Sequence, residues 1–84
     1  MRHFASVRFW ALYRALPEEV RLLADNNYKL LKTNPRHPSL HFKRIGPVWS
    51  TRIGAHYRAL GHEVRGGINW FWIGTHAEYD KLIG

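Results

Sequence analysis

Arg52 and Arg58 flank Gly54 in the run "WSTRIGAHYRAL", which is rich in strand-forming residues and contains no acid. Farther along the chain stand His76 and Tyr79. These residue types suit the cleavage of a phosphodiester. A guanidinium is planar, always charged and able to grip two oxygens, so Arg52 and Arg58 read as clamps on the charge that develops at an attacked phosphate. Cleaving RNA without a metal further requires a base for the 2′-hydroxyl and an acid for the departing 5′ oxygen. An imidazole, with an ordinary pKa of about 6.5, takes both proton states near neutrality, which gives His76 the acid role, or the base role if the two are reversed. Tyr79 lies on the same side of a helical turn and is placed to stack on a base or donate a proton. The competing readings are structural: a helix-cap histidine, a core tyrosine, and arginines that only bind phosphate or pair with a partner's acids.

Around these four, Lys43, Arg44, His41 and His56 form an RNA-binding set. Lys43 and Arg44 point to opposite sides of a regular strand, so one of them lines the binding surface. Lys43 is preferred because it shares a side with His41, whereas Arg44 follows Leu40 and Phe42 toward the core. His41 and His56 are secondary candidates for assisting proton transfer. His37 and His41 have the spacing of a helical metal pair, but Pro38 stands between them and a strand follows, so neither metal nor another cofactor is expected. Of Trp10, Trp49, Trp70 and Trp72, at most one is expected to touch RNA, the rest serving as core.

The charge pattern supports an anionic partner. No Asp or Glu occurs between Asn26 and His62, and the seven cations there (Lys29, Lys32, Arg36, Lys43, Arg44, Arg52 and Arg58) equal the whole net charge of +7. Such a field attracts nucleic acid or an acidic protein; its plain alternative is a solvated basic face. With 84 residues the chain makes one small domain, and 45% apolar content with 14% aromatic content marks it as folded. It has no cysteine, so packing alone must hold it together. The longest apolar run, "WFWI", is too short to span a membrane, and no secretory signal opens the chain, so a soluble cytoplasmic protein is expected.

The elements that must position these residues follow from period and punctuation. "HFAS" offers at most a short strand. Ser6 suits the N-cap of a helix carrying Phe9, Trp10, Leu12, Tyr13 and Leu16. Pro17, Glu18 and Glu19 open a second helix to about Thr33, ended by Asn34 and Pro35. The two make a helical hairpin joined by "ALPEE". After the loop "NPRHPS" the period becomes that of strands: "LHFKRI", a turn at "GP", then "VWSTRI", with Trp49, Thr51 and Ile53 on one face and Ser50 and Arg52 on the other. Gly54 bends the strand or begins a new one at "HYRAL", "GHEVRGG" reads as a turn, and "INWFWI" reads as an interior strand. "HAEYDKLI" closes the chain as a short helix or turn. The fold class is α+β, an N-terminal helical hairpin on one face of a mainly antiparallel sheet of three to five strands.

The ordered set "LP" between two helices, "NPRHPSLHFKRI", "WSTRIGAHYRAL", "INWFWIG" and "HAEYDKL" resembles the RelE/ParE superfamily of bacterial toxin–antitoxin toxins, in its HigB-like and RelE-like ribonuclease branch. The resemblance spans nearly the whole of residues 1–84 as a single domain. It implies a sheet with two helices on one face and a concave basic surface where messenger RNA is cut, often in the ribosome. It also implies a cognate antitoxin, whose acidic segment would wrap the toxin. Family catalytic positions map onto Lys43, Arg52, Arg58, His76 and Tyr79. Some relatives use a glutamate base, and the acid-free interval here supplies none. The sequence also fits two rival functions: a non-catalytic toxin of the ParE kind acting on a protein such as gyrase, and a simple RNA-binding module.

Overall fold

A computed structural model describes residues 1–83. Its elements are β1 (Arg2–Ala5), α1 (Val7–Arg14), α2 (Glu18–Thr33), a 3-10 turn (Pro38–Leu40), β2 (Lys43–Ile45), β3 (Val48–Ile53), β4 (Tyr57–Val64), β5 (Gly67–Thr75) and α3 (His76–Ile83). The sheet order is β1-β5-β4-β3-β2, with β1 parallel to β5 and every other neighbour antiparallel.

Local signals set both early helices. The Ser6 hydroxyl accepts from the Phe9 amide at 3.1 Å and starts α1. Pro17 caps α2, with Glu18 and Glu19 in its first turn where the helix dipole favours negative charge. Their arrangement departs from the sequence reading, however, because the chain opens on a strand and the expected N-terminal helical hairpin is not found. Each helix is drawn to its own part of the sheet, α1 to β5 and α2 to β3. Burying an apolar stripe on a sheet removes more surface from water than two short stripes can bury on each other.

The strands also differ in detail. In "LHFKRI", Pro38–Leu40 forms the 3-10 turn and His41 takes a left-handed φ of 43°, so β2 begins only at Lys43. "GHEV" is not a turn but the end of β4, and Arg65 and Gly66 alone connect it to β5. Gly61 is glycine for close approach: a Cβ there would lie 2.6 Å from the Ile68 side chain and 2.9 Å from the Trp70 ring. As expected, β5 is interior.

The sheet separates two cores. Leu31, Leu40, Ile53, Ala59, Ile68, Trp70 and Ile73 pack with α1 and α2 on one face. A smaller cluster of Leu60, Trp72 and Tyr79 lies under α3 on the other. Among the described residues no helix is long and apolar enough to cross a membrane.

Candidate active site

Gly54, at a φ of 60° that favours glycine, begins a three-residue turn and sends the chain back as β4. Arg58 then falls directly opposite Arg52 in the antiparallel register. Opposed residues share a face of the sheet with Cβ atoms about 4.5–5.5 Å apart, and like charges so placed repel. Among the described residues neither arginine has a salt-bridge partner. The Arg52 Nε donates to the Gly54 carbonyl at 2.9 Å, and the Asn27 side-chain amide donates to the Arg52 carbonyl at 2.9 Å. Strand, turn and α2 thus hold Arg52 in place.

Arg58 is only 9% exposed, and its Nε and Nη1 are buried with no hydrogen-bond partner. Its guanidinium carbon lies over the Tyr79 ring, 5.0 Å from the centre, where the ring face attracts a cation. Buried donors without acceptors are costly. An anion reaching them would recover that cost. Gly74 stands opposite Arg58 on β5, where a Cβ would lie 2.5 Å from the Trp72 ring and 3.0 Å from the Glu78 carboxylate.

Helix α3 brings His76 to this place. Glu78 Oε1 accepts from the Thr75 amide and from the Thr75 hydroxyl, each at 2.9 Å, and the Glu78 amide donates back to the Thr75 hydroxyl at 3.1 Å, a reciprocal capping box. Those bonds, first from the Thr75 backbone and then from its hydroxyl, hold the Glu78 carboxyl below its ordinary pKa. The His76 amide donates to the His56 carbonyl at 2.7 Å, tying the helix start to the turn between the arginine strands. The His76 side chain stays 46% exposed with Nδ1 at 3.1 Å from Asp80 Oδ2. A carboxylate at Nδ1 fixes the ring and leaves Nε2 for proton transfer. The His76 ring is 5.8 Å from that of Tyr79, so Arg58, Tyr79 and His76 form a continuous series. Tyr79 itself is 4% exposed and packs with Leu60 and Trp72, which makes it a support for Arg58 and leaves its phenol little access to a ligand.

The RNA-binding set divides. Lys43 is exposed on β2 opposite Ser50, and so shares the face of Ser50 and Arg52. Arg44 points to the other face beside Trp49, donates from Nε to the Gly46 carbonyl at 3.1 Å and approaches Glu63 at 3.8 Å, apart from the arginine pair. His41 sits before β2, and its left-handed backbone breaks the alternation that aligned it with Lys43. His56 is exposed in the β3–β4 turn and meets α3 through its carbonyl. Among the tryptophans, Trp70 and Trp72 are core, Trp49 stacks on Phe42 at 4.7 Å, and Trp10 is 44% exposed. No group of three potential metal ligands lies together among the described residues.

Three contributors were not singled out from the sequence. Asp80 was signalled by its i,i+4 spacing from His76, and the cap by the pattern Thr75-x-x-Glu78. Ser50, on the Arg52 face, is fully buried with its hydroxyl unpartnered.

No family model matches the sequence, and no curated protein matches it significantly. Solved structures do resemble the fold. The toxin of a RelB–RelE antitoxin–toxin complex from Methanococcus jannaschii is 13% identical, with a TM-score of 0.71 over 96% of this chain and 99% of that one. The isolated RelE toxin of E. coli is 14% identical, with a TM-score of 0.64 over 98% and 97% of the two chains. Architecture and comparison agree: this chain has the RelE toxin fold.

Proposed function

We propose that the protein is the toxin of a toxin–antitoxin pair and acts as a metal-independent endoribonuclease that cuts messenger RNA on the ribosome. The observation that carries this reading is the opposed pair Arg52 and Arg58 on one face, neither with a salt-bridge partner among the described residues, and Arg58 linked through Tyr79 to an imidazole oriented by a carboxylate. In this reaction the ribose 2′-hydroxyl gives its proton to solvent water as its oxygen attacks the adjacent phosphorus, and the bond to the 5′ oxygen breaks to leave a 2′,3′-cyclic phosphate. Arg58 and Arg52 stabilise the added charge on the phosphorane. His76 protonates the leaving oxygen through Nε2, with Asp80 bonded to Nδ1 to hold its orientation. Lys43 anchors a flanking phosphate. The fold likeness to a toxin found with its antitoxin supports a protein antagonist, and the seven cations of the acid-free interval favour an acidic one.

The test is incubation of the purified protein with translating ribosomes, followed by mapping of messenger 5′ ends, for wild type, Arg52→Ala and His76→Ala. New ends in wild type that vanish in both variants are the expected result. Intact transcripts with every protein overturn it, and inhibited DNA supercoiling beside intact transcripts points to a gyrase-directed toxin instead.

A further inference from the structure

On the face away from the arginine pair, a cavity of about 190 Å³ lies between α1, α2 and the sheet. Phe9, Trp10, Tyr13, Tyr28 and Trp70 give it largely aromatic walls. A dry cavity of about 150 Å³ takes up benzene, so this one has room for a single ring with a substituent. Phe4, Trp10 and Tyr28 are 42%, 44% and 42% exposed, which leaves the cavity open to solvent.

Its polar lining is His3, Asp25, Asn27 and Thr51, and Lys32 lies beyond the lining, against Tyr28. His3 Nδ1 accepts from the Trp70 indole N–H at 3.1 Å, so the neutral ring carries its proton on Nε2, a donor with no acceptor among the described residues. The Lys32 ammonium lies 4.5 Å from the centre of the Tyr28 ring, and the Tyr28 ring meets the His3 ring edge-on at 5.7 Å. The Asp25 carboxylate is engaged by the Tyr13 hydroxyl, so the free donor of His3, with the Lys32 ammonium just outside the aromatic walls, favours a carboxylate attached to a ring. The opening also limits size. Tyr13 donates to Asp25 Oδ1 at 2.7 Å, a hydrogen bond joining α1 to α2 between two residues that line the cavity. A helix with its side chains is about 10–12 Å across, too wide for a space of this volume.

We propose that this cavity binds a one-ring aromatic carboxylate, with its ring among Trp10, Tyr28 and Trp70 and its carboxylate on His3 Nε2 and the Lys32 ammonium. The site is separate from the arginine pair and does not depend on the nuclease reading.

The experiment titrates phenylacetate and the neutral phenylacetamide into the full chain, followed by tryptophan fluorescence and by amide chemical shifts. Saturable binding of phenylacetate is expected, tighter than the amide by about fivefold, the scale of one partly exposed ion pair. Shifts should centre on His3, Tyr28 and Trp70. Ala24→Leu fills the cavity and should abolish binding of both compounds while keeping the thermal melt. Lys32→Met, on the surface, should weaken the acid only and keeps the test decisive if Ala24→Leu does not fold. Absence of saturable binding overturns the proposal, as do shifts confined to Arg52 and Arg58. Occupancy by an acidic peptide with none by the free acid also overturns it, making the cavity a docking groove for a protein.

Discussion

The Arg58 guanidinium lies 5.0 Å from the centre of the Tyr79 ring, so β4 and α3 meet through a buried cation as well as through apolar contact. The fold keeps a charge where packing alone would favour a neutral side chain.

Replacing Arg58 should therefore separate stability from activity. Arg58→Met removes the two unpartnered buried donors and keeps an unbranched, shorter apolar side chain in their place. It is expected to stabilise the fold by about 1 kcal/mol, or roughly 4–8 °C in melting temperature for a domain of this size. RNA cleavage should fall by about 10²–10³. A lower melting temperature in this variant would show that Arg58 holds the structure together and is not kept at its expense.

His76 and Asp80 should differ in effect. His76→Ala removes the proton carrier and is expected to slow cleavage by about 10²–10⁴. Asp80→Asn leaves the imidazole but weakens its orientation, so its loss should be smaller and should appear in kcat with KM nearly unchanged. Single-turnover cleavage of a short messenger on ribosomes measures both. Equal losses would assign Asp80 a larger part than orientation.

The cap of α3 predicts an acid response. Thr75→Ala should cost about 1 kcal/mol, as other cap losses do, and thermal melts will show it. Because Glu78 is held below its ordinary pKa in the folded chain, its stabilising contribution is complete above the carboxylate range. It is lost as pH falls through that lowered value. Melting curves of wild type and Glu78→Gln should thus converge in acid and separate toward neutrality.

His3 has a response at higher pH. Burial first, then nearby positive charge including that of Lys32, holds it below its ordinary pKa. The unfolded chain binds this proton at a higher pH than the folded chain does. Stability is therefore complete above about pH 6.5 and declines as pH falls from there toward the folded value. Urea unfolding at about pH 7.5 and pH 5.5 should show the decline in wild type and a flatter response in His3→Phe.

What could be read in the sequence was local. Ser6, Pro17 and Asn34 mark helix ends by their own chemistry, and α1 and α2 lie where those residues place them. Alternation places Ser50 and Arg52 on one face of β3, and they pair with Leu60 and Arg58 of β4. Less legible were features set by distant partners. β1 is four residues long and pairs with β5, so its own sequence carries little sign of its place. Gly61 looks like a turn residue, yet it is glycine because Ile68 and Trp70 need the space. The burial of Arg58 depends on Tyr79 arriving from α3, which no local pattern encodes. Alternation aligns His41 with Lys43, and the left-handed backbone of His41 breaks that alignment, while Arg44 faces the opposite side, beside Trp49.

The pairing of Arg2 with Gly67 has a consequence for the order of assembly. The antiparallel strands close through short turns and can zip early, whereas β1 must wait until most of the chain has emerged. Until it docks, one border of β5 offers unpaired amides and carbonyls to any neighbouring chain. Nascent copies are most vulnerable to sticking together in that interval, and a slow final phase in refolding, sensitive to protein concentration, would be its signature.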